Sequence, residues 1–418
     1  MPDVQSVSIA DGTVPTAFAV HPRPRAGSVT SRLLALTLLV TGCSAIQPSQ
    51  HGSETSLSGT GTPVTRWSLA ADRLSGNTAN WRTMAIMHIA MHDALNAAEP
   101  RFARWSPASA DEPAPNGASA LVAMAAAAHQ VMLARHRNEA AGKANALLRL
   151  ARNAEPHGPA VEAGLRLGTA IGRATIARYP EPASAPKPFT VGQGAGQWRP
   201  TPPYFQNGPV SSMKPFLFES AHVPRGPPPP QLGSPRYVAE MEEVRRLGGK
   251  QSTERSPEQV KAAEFWARQS SQRNFIHLAA AMLREQSTDV WAQARFMSQL
   301  ASALADSFIM SWDEKNHWAA WLPVTAINLG SDGLPADPDW EPLLVTPAHP
   351  EYPSGHAADC STGARMMKAF PGRLPRIVAY NRHGSVGAND AAFPDLRGSC
   401  GRMCRKPDLG RGAFPRSK

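Results

Sequence analysis

The chain has 418 residues, 42% of them hydrophobic and only 18% charged, so it is long enough to bury a full core. Its formal net charge is +10, but ten basic and three acidic residues between Pro371 and Lys418 place +7 of that charge in the last segment. The rest of the chain is near neutral, which argues against an extended basic face for nucleic acid. Among the four cysteines, Cys400 and Cys404 form a lone pair without a second pair, so the pattern does not indicate a zinc site.

Residues 1–43 have the pattern of an export signal. Three arginines precede a short apolar run, Leu33 to Val40, which is too short to span a bilayer as a mature helix. The run ends Val40-Thr41-Gly42-Cys43, which is similar to a bacterial lipobox whose cysteine is lipid-modified. We therefore expect a lipoprotein in the periplasm or cell envelope, held to the membrane only through Cys43. An ordinary secretory signal is the alternative.

Residues 44–65 are rich in Ser, Thr and Gly and are predicted to be a flexible tether. Residues 66–370 form the predicted folded domain, in which apolar residues recur mostly at helical spacing. The Pro- and Gly-rich stretch 180–233 predicts a wrapping loop, and Ser256 with Gln259 predicts a capped helix start. The predicted helices are 78–98, 118–135, 138–151, 159–178, 234–247, one beginning at Ser256, 273–284, 289–312 and 357–370.

Two histidines share one face of the first predicted helix. His88 and His92 are four residues apart, a spacing that two ligands of a metal can have. The zinc-protease pattern places a glutamate directly after the first histidine, where this chain has Ile89. We therefore interpret both histidines as core or interface residues with hydrogen-bond partners, and not as metal ligands.

The triplet Ser354-Gly355-His356 opens the last predicted helix and is the strongest candidate site. Glycine lets the backbone approach a ligand closely, and the first N–H groups of a helix attract anions. Ser354 can donate its hydroxyl, and a histidine titrates near neutral pH, so His356 could exchange a proton with a bound oxygen. A capped helix with a surface histidine is the alternative.

The motifs around this triplet resemble the bacterial vanadium-dependent haloperoxidase group of the type 2 phosphatidic acid phosphatase superfamily. The resemblance spans roughly 81–370 and is most specific in the residues that end at His356. It is carried by these strings: MHIAMHDALNA (87–97), GQWRPTPPYF (196–205), SPEQVKAAEFW (256–266), WDEK (312–315), PVTAI (323–327), DPDWEPLL (337–344) and HPEYPSGH (349–356).

The resemblance implies an all-α helical bundle with long Pro-rich loops that binds vanadate and oxidises halide with hydrogen peroxide. In that reading Lys315 polarises the bound peroxide, Ser354 and Gly355 hold equatorial oxygens, and His356 manages protons. Phosphate shares the shape and charge of vanadate. An acid phosphatase that acts on small phosphoesters is therefore the alternative within the same superfamily.

Two departures from the group's pattern bear on activity. The resemblance implies an arginine seven residues after Lys315, where this chain has Leu322, and an Arg-x3-Gly-x-His motif with the axial histidine, which is absent after Phe370. We therefore expect residues 371–418 to be an atypical tail, diverged or translated out of frame, with the bundle's last helices missing. A native basic tail is one alternative, and an inactive, truncated lipoprotein is another.

Overall fold

A computed structural model describes residues 61–74, 81–182, 188–201, 213–268, 270–286 and 288–370, together with four short strands between 377 and 393; the side chains of 137–140, of 268 and of the strands are not described. The predicted signal, Cys43 and most of the tether lie outside these residues, as does most of the tail. Those expectations therefore remain predictions.

The described part of the chain is helical, as the sequence predicts. Its helices are α1 Thr65–Leu74, α2 Trp81–Ala98, α3 Ala120–Asn153, α4 Pro159–Arg178, α5 Pro235–Gly248, α6 Pro257–Arg268, α7 Ser271–Glu285, α8 Val290–Trp318, α9 Pro323–Leu329 and α10 Gly355–Ala369. The two-residue strands are β1 Ile377–Val378, β2 Tyr380–Asn381, β3 Gly384–Ser385 and β4 Ala392–Phe393. Strand β1 pairs antiparallel with β4, and β2 pairs antiparallel with β3.

Helix α2 lies at the centre of the core, buried on nearly every side. It packs against α3, α4 and α8, and α10 packs against α7 and α8. Small residues let α3 and α4 approach closely: Gly164, Gly168 and Gly172 of α4 face the backbone or Cβ atoms of α3. No helix in the described ranges combines the length and apolar character needed to cross a bilayer.

Several helix ends follow the predicted capping chemistry. At the start of α6, the Ser256 N–H donates to Gln259 Oε1 at 2.8 Å, and the Gln259 N–H donates to Ser256 Oγ at 3.3 Å. Ser354 caps α10 through a hydrogen bond from the Ala357 N–H at 3.3 Å. These contacts satisfy N–H groups that a helix leaves without partners in its first turn.

Three helix predictions were wrong in detail. The stretches 118–135 and 138–151 form one helix, α3, since neither proline nor any other strong breaker separates them. Helix α8 continues to Trp318 and ends at Ala319, whose φ of 41° is left-handed, so Lys315 lies within the helix. Helices α1 and α9 were not predicted, because each is short and has little room for a periodic pattern.

The Gly168 contact yields a stability prediction. A Cβ atom at Gly168 would lie 2.0 Å from Ala123 O, so Gly168→Ala must push α3 and α4 apart. We expect it to lower the free energy of unfolding by about 1–3 kcal/mol in urea denaturation.

The control for that variant is Gly142→Ala in α3, where an added Cβ meets nothing within 4 Å. Since alanine has the higher helix propensity, this change should stabilise the protein by up to about 1 kcal/mol. Equal effects of the two substitutions would contradict the close packing of α3 against α4.

Candidate oxyanion site

Lys315 is a buried lysine in the last turn of α8, only 2% exposed. Its ammonium donates to Pro350 O at 2.6 Å and to Glu351 O at 2.8 Å. A buried ammonium must find hydrogen-bond acceptors, and these two carbonyls belong to the loop that leads into α10. Lys315 therefore fixes the approach of this loop to the start of the helix.

The same loop is held at two further points. The Glu351 N–H donates to Ala320 O at 3.0 Å, just after the end of α8. The Tyr352 hydroxyl donates to Pro227 O at 2.8 Å, which ties the loop to the Pro-rich segment. Ser354 lies two residues further on, and its hydroxyl oxygen accepts the Ala357 N–H. The position of Ser354, the N-cap of α10, is thus set by contacts of the loop with the end of α8 and with the Pro-rich segment.

Aromatic rings surround the first turn of α10. A Cβ atom on Gly355 would lie 3.3 Å from Trp312 Cζ3, so the glycine lets the helix approach the indole of α8. The half-buried His356 ring packs edge-on against Trp266, with ring centroids 6.1 Å apart. Trp312 also stacks on Phe308, with centroids 4.0 Å apart. The predicted residues Ser354, Gly355 and His356 therefore start a helix between two indole rings.

Leu322 is fully buried and precedes α9. It clusters with Phe189 and Trp198, and Trp312 packs against this cluster. Trp198 is fixed by its backbone, since its N–H donates to Ala319 O at 2.7 Å. The position where the resemblance implies an arginine is thus part of an apolar cluster, and Leu322 supplies no charge.

A cavity of about 700 Å³ lies beside Ser354. One side is formed by prolines and apolar residues of the segment that precedes α5, and the other by hydroxyl groups on α8 and α10. The hydroxyl-bearing residues are Ser307, Ser311, Ser354, Ser361 and Thr362. Apart from Ser354, the sequence analysis missed them; the repeat of small residues at 303, 307 and 311 was the available signal.

Charged groups on the cavity wall are paired within the protein. The Asp306 carboxylate accepts the N–H groups of Phe216 and Leu217, both at 2.7 Å, and burial raises its pKa to about 6. Glu314 accepts the Gly226 N–H at 3.0 Å and the Trp318 indole N–H at 2.5 Å. These two carboxylates hold the Pro-rich segment against α8, so their role is structural.

Asp359 is a buried carboxyl on α10, one turn after Gly355 and 3% exposed. Its Oδ2 accepts hydrogen bonds from Ser271 Oγ and from Gln272 Nε2, both at 2.6 Å. Burial raises its pKa to about 7, although hydrogen bonding with Ser271 and Ser307 lowers it. Sequence reasoning had no signal for this residue, because its partners on α7 lie almost 90 positions earlier.

The two histidines of α2 are core residues, as predicted. His88 is fully buried, hydrogen-bonds to Ser68 Oγ through Nε2 at 2.7 Å, and has its pKa lowered to about 3 by burial. His92 Nε2 lies 3.0 Å from Ala103 O, a backbone acceptor. Within the described ranges, no three His, Cys, Asp or Glu side chains are grouped so that they could hold a metal ion.

The chain is similar to known proteins both in part of its sequence and in its fold. Residues 295–390 match the family described as the VCPO second helical-bundle domain. A crystal structure of a bacterial vanadium-dependent iodoperoxidase is similar with a TM-score of 0.70 and 20% identity, over 84% of this chain and 91% of that one. No match is found among curated protein sequences.

Two structures of a bacterial vanadium-dependent chloroperoxidase are also similar. The apo form has a TM-score of 0.54 and 16% identity, over 81% of this chain and 89% of that one. The holo form has a TM-score of 0.54 and 14% identity, over 82% and 87%.

The fold is therefore that of helical vanadium-dependent peroxidases. The chain resembles the vanadium haloperoxidase-like group, and the family match includes Lys315 and the Ser354-Gly355-His356 triplet.

Lys315→Met tests how the loop before α10 is held. Methionine fills a similar volume but leaves the carbonyls of Pro350 and Glu351 without their buried donor. We expect the free energy of unfolding to fall by about 3 kcal/mol in urea denaturation.

Lys250→Met is the matched control, because Lys250 pairs with Glu341 at 2.9 Å while both side chains are largely exposed, at 64% and 66%. Its loss should cost less than about 1 kcal/mol. If both lysines prove equally dispensable, Lys315 does not hold the loop.

Proposed function

We propose that the protein is an oxyanion-binding enzyme that oxidises halide with hydrogen peroxide when vanadate is bound at the start of α10. The observation that carries this proposal is the contact of the buried Lys315 ammonium with the loop that delivers Ser354, Gly355 and His356. Through this contact, the loop that binds a positive charge also leads into the N-terminus of α10. The fold and the family match over residues 295–390 support it.

The groups at the start of α10 fit a tetrahedral oxyanion. Ser354 Oγ uses a lone pair to accept the Ala357 N–H, so its own O–H proton can be donated to a ligand. The first turn of the helix adds backbone N–H groups and the positive end of the helix dipole. Ser354, the backbone of Gly355 and the charge of Lys315 would therefore hold vanadate.

Bound vanadate supplies the centre at which peroxide becomes reactive towards halide. The chain's own contribution is to place charge, donors and a proton carrier around it. His356 lies in the first turn of α10, and its half-buried ring is the proposed proton carrier. Lys315 stabilises negative charge and keeps the loop in place, and the cavity beside Ser354 gives small substrates access.

Leu322 favours a second candidate, a weak or inactive oxyanion binder. An arginine can hold an oxyanion with two parallel hydrogen bonds, and a leucine can make neither. The apolar cluster around Leu322 leaves one buried cation, Lys315, among the described residues of this site.

Purified full-length protein with vanadate, bromide and peroxide tests the enzyme proposal through bromination of a dye. His356→Ala should reduce the rate by about 100-fold or more, because a positioned acid or base contributes that much. His157→Ala, which removes an exposed histidine outside the site, should leave the rate unchanged. Vanadate binding is measured separately by ⁵¹V NMR.

Other outcomes identify the alternatives. Hydrolysis of a small phosphoester that vanadate inhibits, without bromination, would make the protein a phosphatase. No activity in either assay, with or without vanadate binding, would support the second candidate, a weak or inactive oxyanion binder.

We also propose that the protein is exported and anchored through Cys43, on the basis of the lipobox-like sequence. Bacterial cells that express the full chain should incorporate labelled palmitate into it and retain it in the membrane fraction. Cys43→Ser should abolish both. Labelling that survives this substitution would place the anchor elsewhere.

A further inference from the structure

The cavity beside Ser354 has an apolar wall that buried hydrogen bonds hold in place. Leu217 and Phe218 are neighbours on this wall, and they are 49% and 40% exposed. The N–H groups of Phe216 and Leu217 donate to the buried Asp306 carboxylate, both at 2.7 Å. Turning the two side chains inwards would require the backbone to give up these hydrogen bonds. Two large apolar side chains are thus kept at the cavity.

Prolines form the rest of this wall. Four prolines between residues 224 and 230 line the cavity, and one of them, Pro227, accepts the Tyr352 hydroxyl through its carbonyl oxygen at 2.8 Å. A proline ring has few conformations and little side-chain entropy to lose, so its surface can be covered by a ligand at small cost. Together with the ring of Phe218, this surface suits a planar aromatic ligand.

The opposite wall offers hydroxyl groups from α10. Ser361 and Thr362 are half-buried, line the cavity and make no hydrogen bond to another described residue, and their oxygens remain accessible. The hydroxyls of α8 contribute less, because Ser307 Oγ is buried and Ser311 Oγ donates to Ser307 O at 2.7 Å. Since a hydroxyl both donates and accepts, α10 can exchange hydrogen bonds with a polar group of a ligand.

The carboxylates that α8 brings to the cavity are already occupied. Both oxygens of Asp306 accept backbone N–H groups, as described above. Glu314 accepts the Gly226 N–H at 3.0 Å, and its Oε1 lies 3.6 Å from Arg225 Nη1. Neither carboxylate is left to pair with a cationic ligand.

The other charged residues of the cavity wall do not favour a charged ligand either. Arg236 Nε donates to Glu240 Oε1 at 2.9 Å, so this guanidinium has an acidic partner within the protein. Glu351 is only 4% exposed and presents little surface to the cavity. The wall therefore fits a neutral ligand better than an ionised one.

We propose that this cavity binds a neutral aromatic alcohol, a phenol or naphthol. Its ring lies between Phe218 and the prolines, and its hydroxyl exchanges hydrogen bonds with Ser361 or Thr362. A volume of about 700 Å³ is common for small-molecule sites and accommodates a ligand of two or more rings. The ring then lies beside Ser354. Because such rings are electron-rich, the ligand's role as the acceptor of oxidised halogen follows from the proposed function and rests on it.

The transfer of halogen to this ligand balances without a further reactant. Hydrogen peroxide takes two electrons from bromide, and with one proton the products are hypobromous acid and water. A ring carbon then forms a bond to bromine as the Br–O bond breaks. The proton that this carbon loses leaves with the hydroxide as water.

Binding is measured on the full-length protein without vanadate, so the result does not depend on turnover. The probe is 6-fluoro-2-naphthol, which is neutral near neutral pH, and its binding is followed by ¹⁹F NMR. We expect saturable binding. Without the hydroxyl, 2-fluoronaphthalene should bind about fivefold more weakly, the worth of one hydrogen bond. The charged 6-fluoro-2-naphthoate should bind at least about tenfold more weakly, because its carboxylate loses water without gaining a partner.

Phe218→Ala removes the aromatic ring from the apolar wall and should weaken naphthol binding about tenfold. Its side chain is 40% exposed, so the variant should fold. Leu329→Ala is the control, since Leu329 is 56% exposed and lies outside the cavity wall, and it should leave the affinity unchanged. Non-saturable binding, tighter binding of the naphthoate, or equal effects of the two substitutions would overturn the proposal.

The double variant Ser361→Ala/Thr362→Val removes the accessible hydroxyls of α10. It should weaken binding of the naphthol about fivefold and leave binding of 2-fluoronaphthalene unchanged. An equal loss for both probes, or no loss for either, would contradict the role of these hydroxyls.

Turnover distinguishes this proposal from the proposed function. With vanadate, bromide and peroxide, the rate of naphthol bromination should saturate over the concentrations that fill the cavity, and Phe218→Ala should raise the KM about tenfold. Saturable binding without bromination would leave the binding site in place and overturn the enzyme proposal. Bromination at a rate proportional to naphthol concentration, without saturable binding, would overturn the binding site and leave the enzyme proposal in place.

Discussion

A buried ammonium that binds two backbone carbonyls is the contact on which the candidate site depends. Lys315 lies where water cannot solvate it, so its hydrogen bonds to Pro350 and Glu351 are required for the charge to be buried at all. Through those bonds the end of α8 determines where the loop enters α10, and hence where Ser354 caps the helix. One contact therefore fixes a backbone path and places a positive charge close to it.

Helix α8, which carries Lys315, also positions the Pro-rich segment and one side of the cavity. Asp306 and Glu314 hold the Pro-rich segment by its backbone N–H groups, and Ser307 and Ser311 line the cavity. All of these contacts come from one helix, so the loop, the cavity and the lysine are positioned relative to the same element. The Pro-rich segment, which has little regular structure of its own, takes its shape from α8.

The features that could be predicted from the sequence depend on residues close together in the chain. Helical spacing located most helices, and the hydroxyl, glycine and histidine at 354–356 were enough to predict the cap of α10. The cavity and the buried hydrogen bonds of Asp359 could not be predicted in this way. They depend on residues roughly 90 positions apart, such as Phe216 with Asp306 or Ser271 with Asp359, which only tertiary packing brings together. The missing charge at Leu322 was visible in the sequence, but its apolar surroundings, Phe189 and Trp198, were not.

The indole rings beside α10 have a chemical consequence of their own. Trp312 packs against Gly355, and Trp266 packs against His356, so two electron-rich side chains border the proposed reaction site. Electrophilic halogen species attack indoles readily. A protein that generated such an oxidant here would modify its own tryptophans, and its working lifetime would depend on how fast the oxidant left the site.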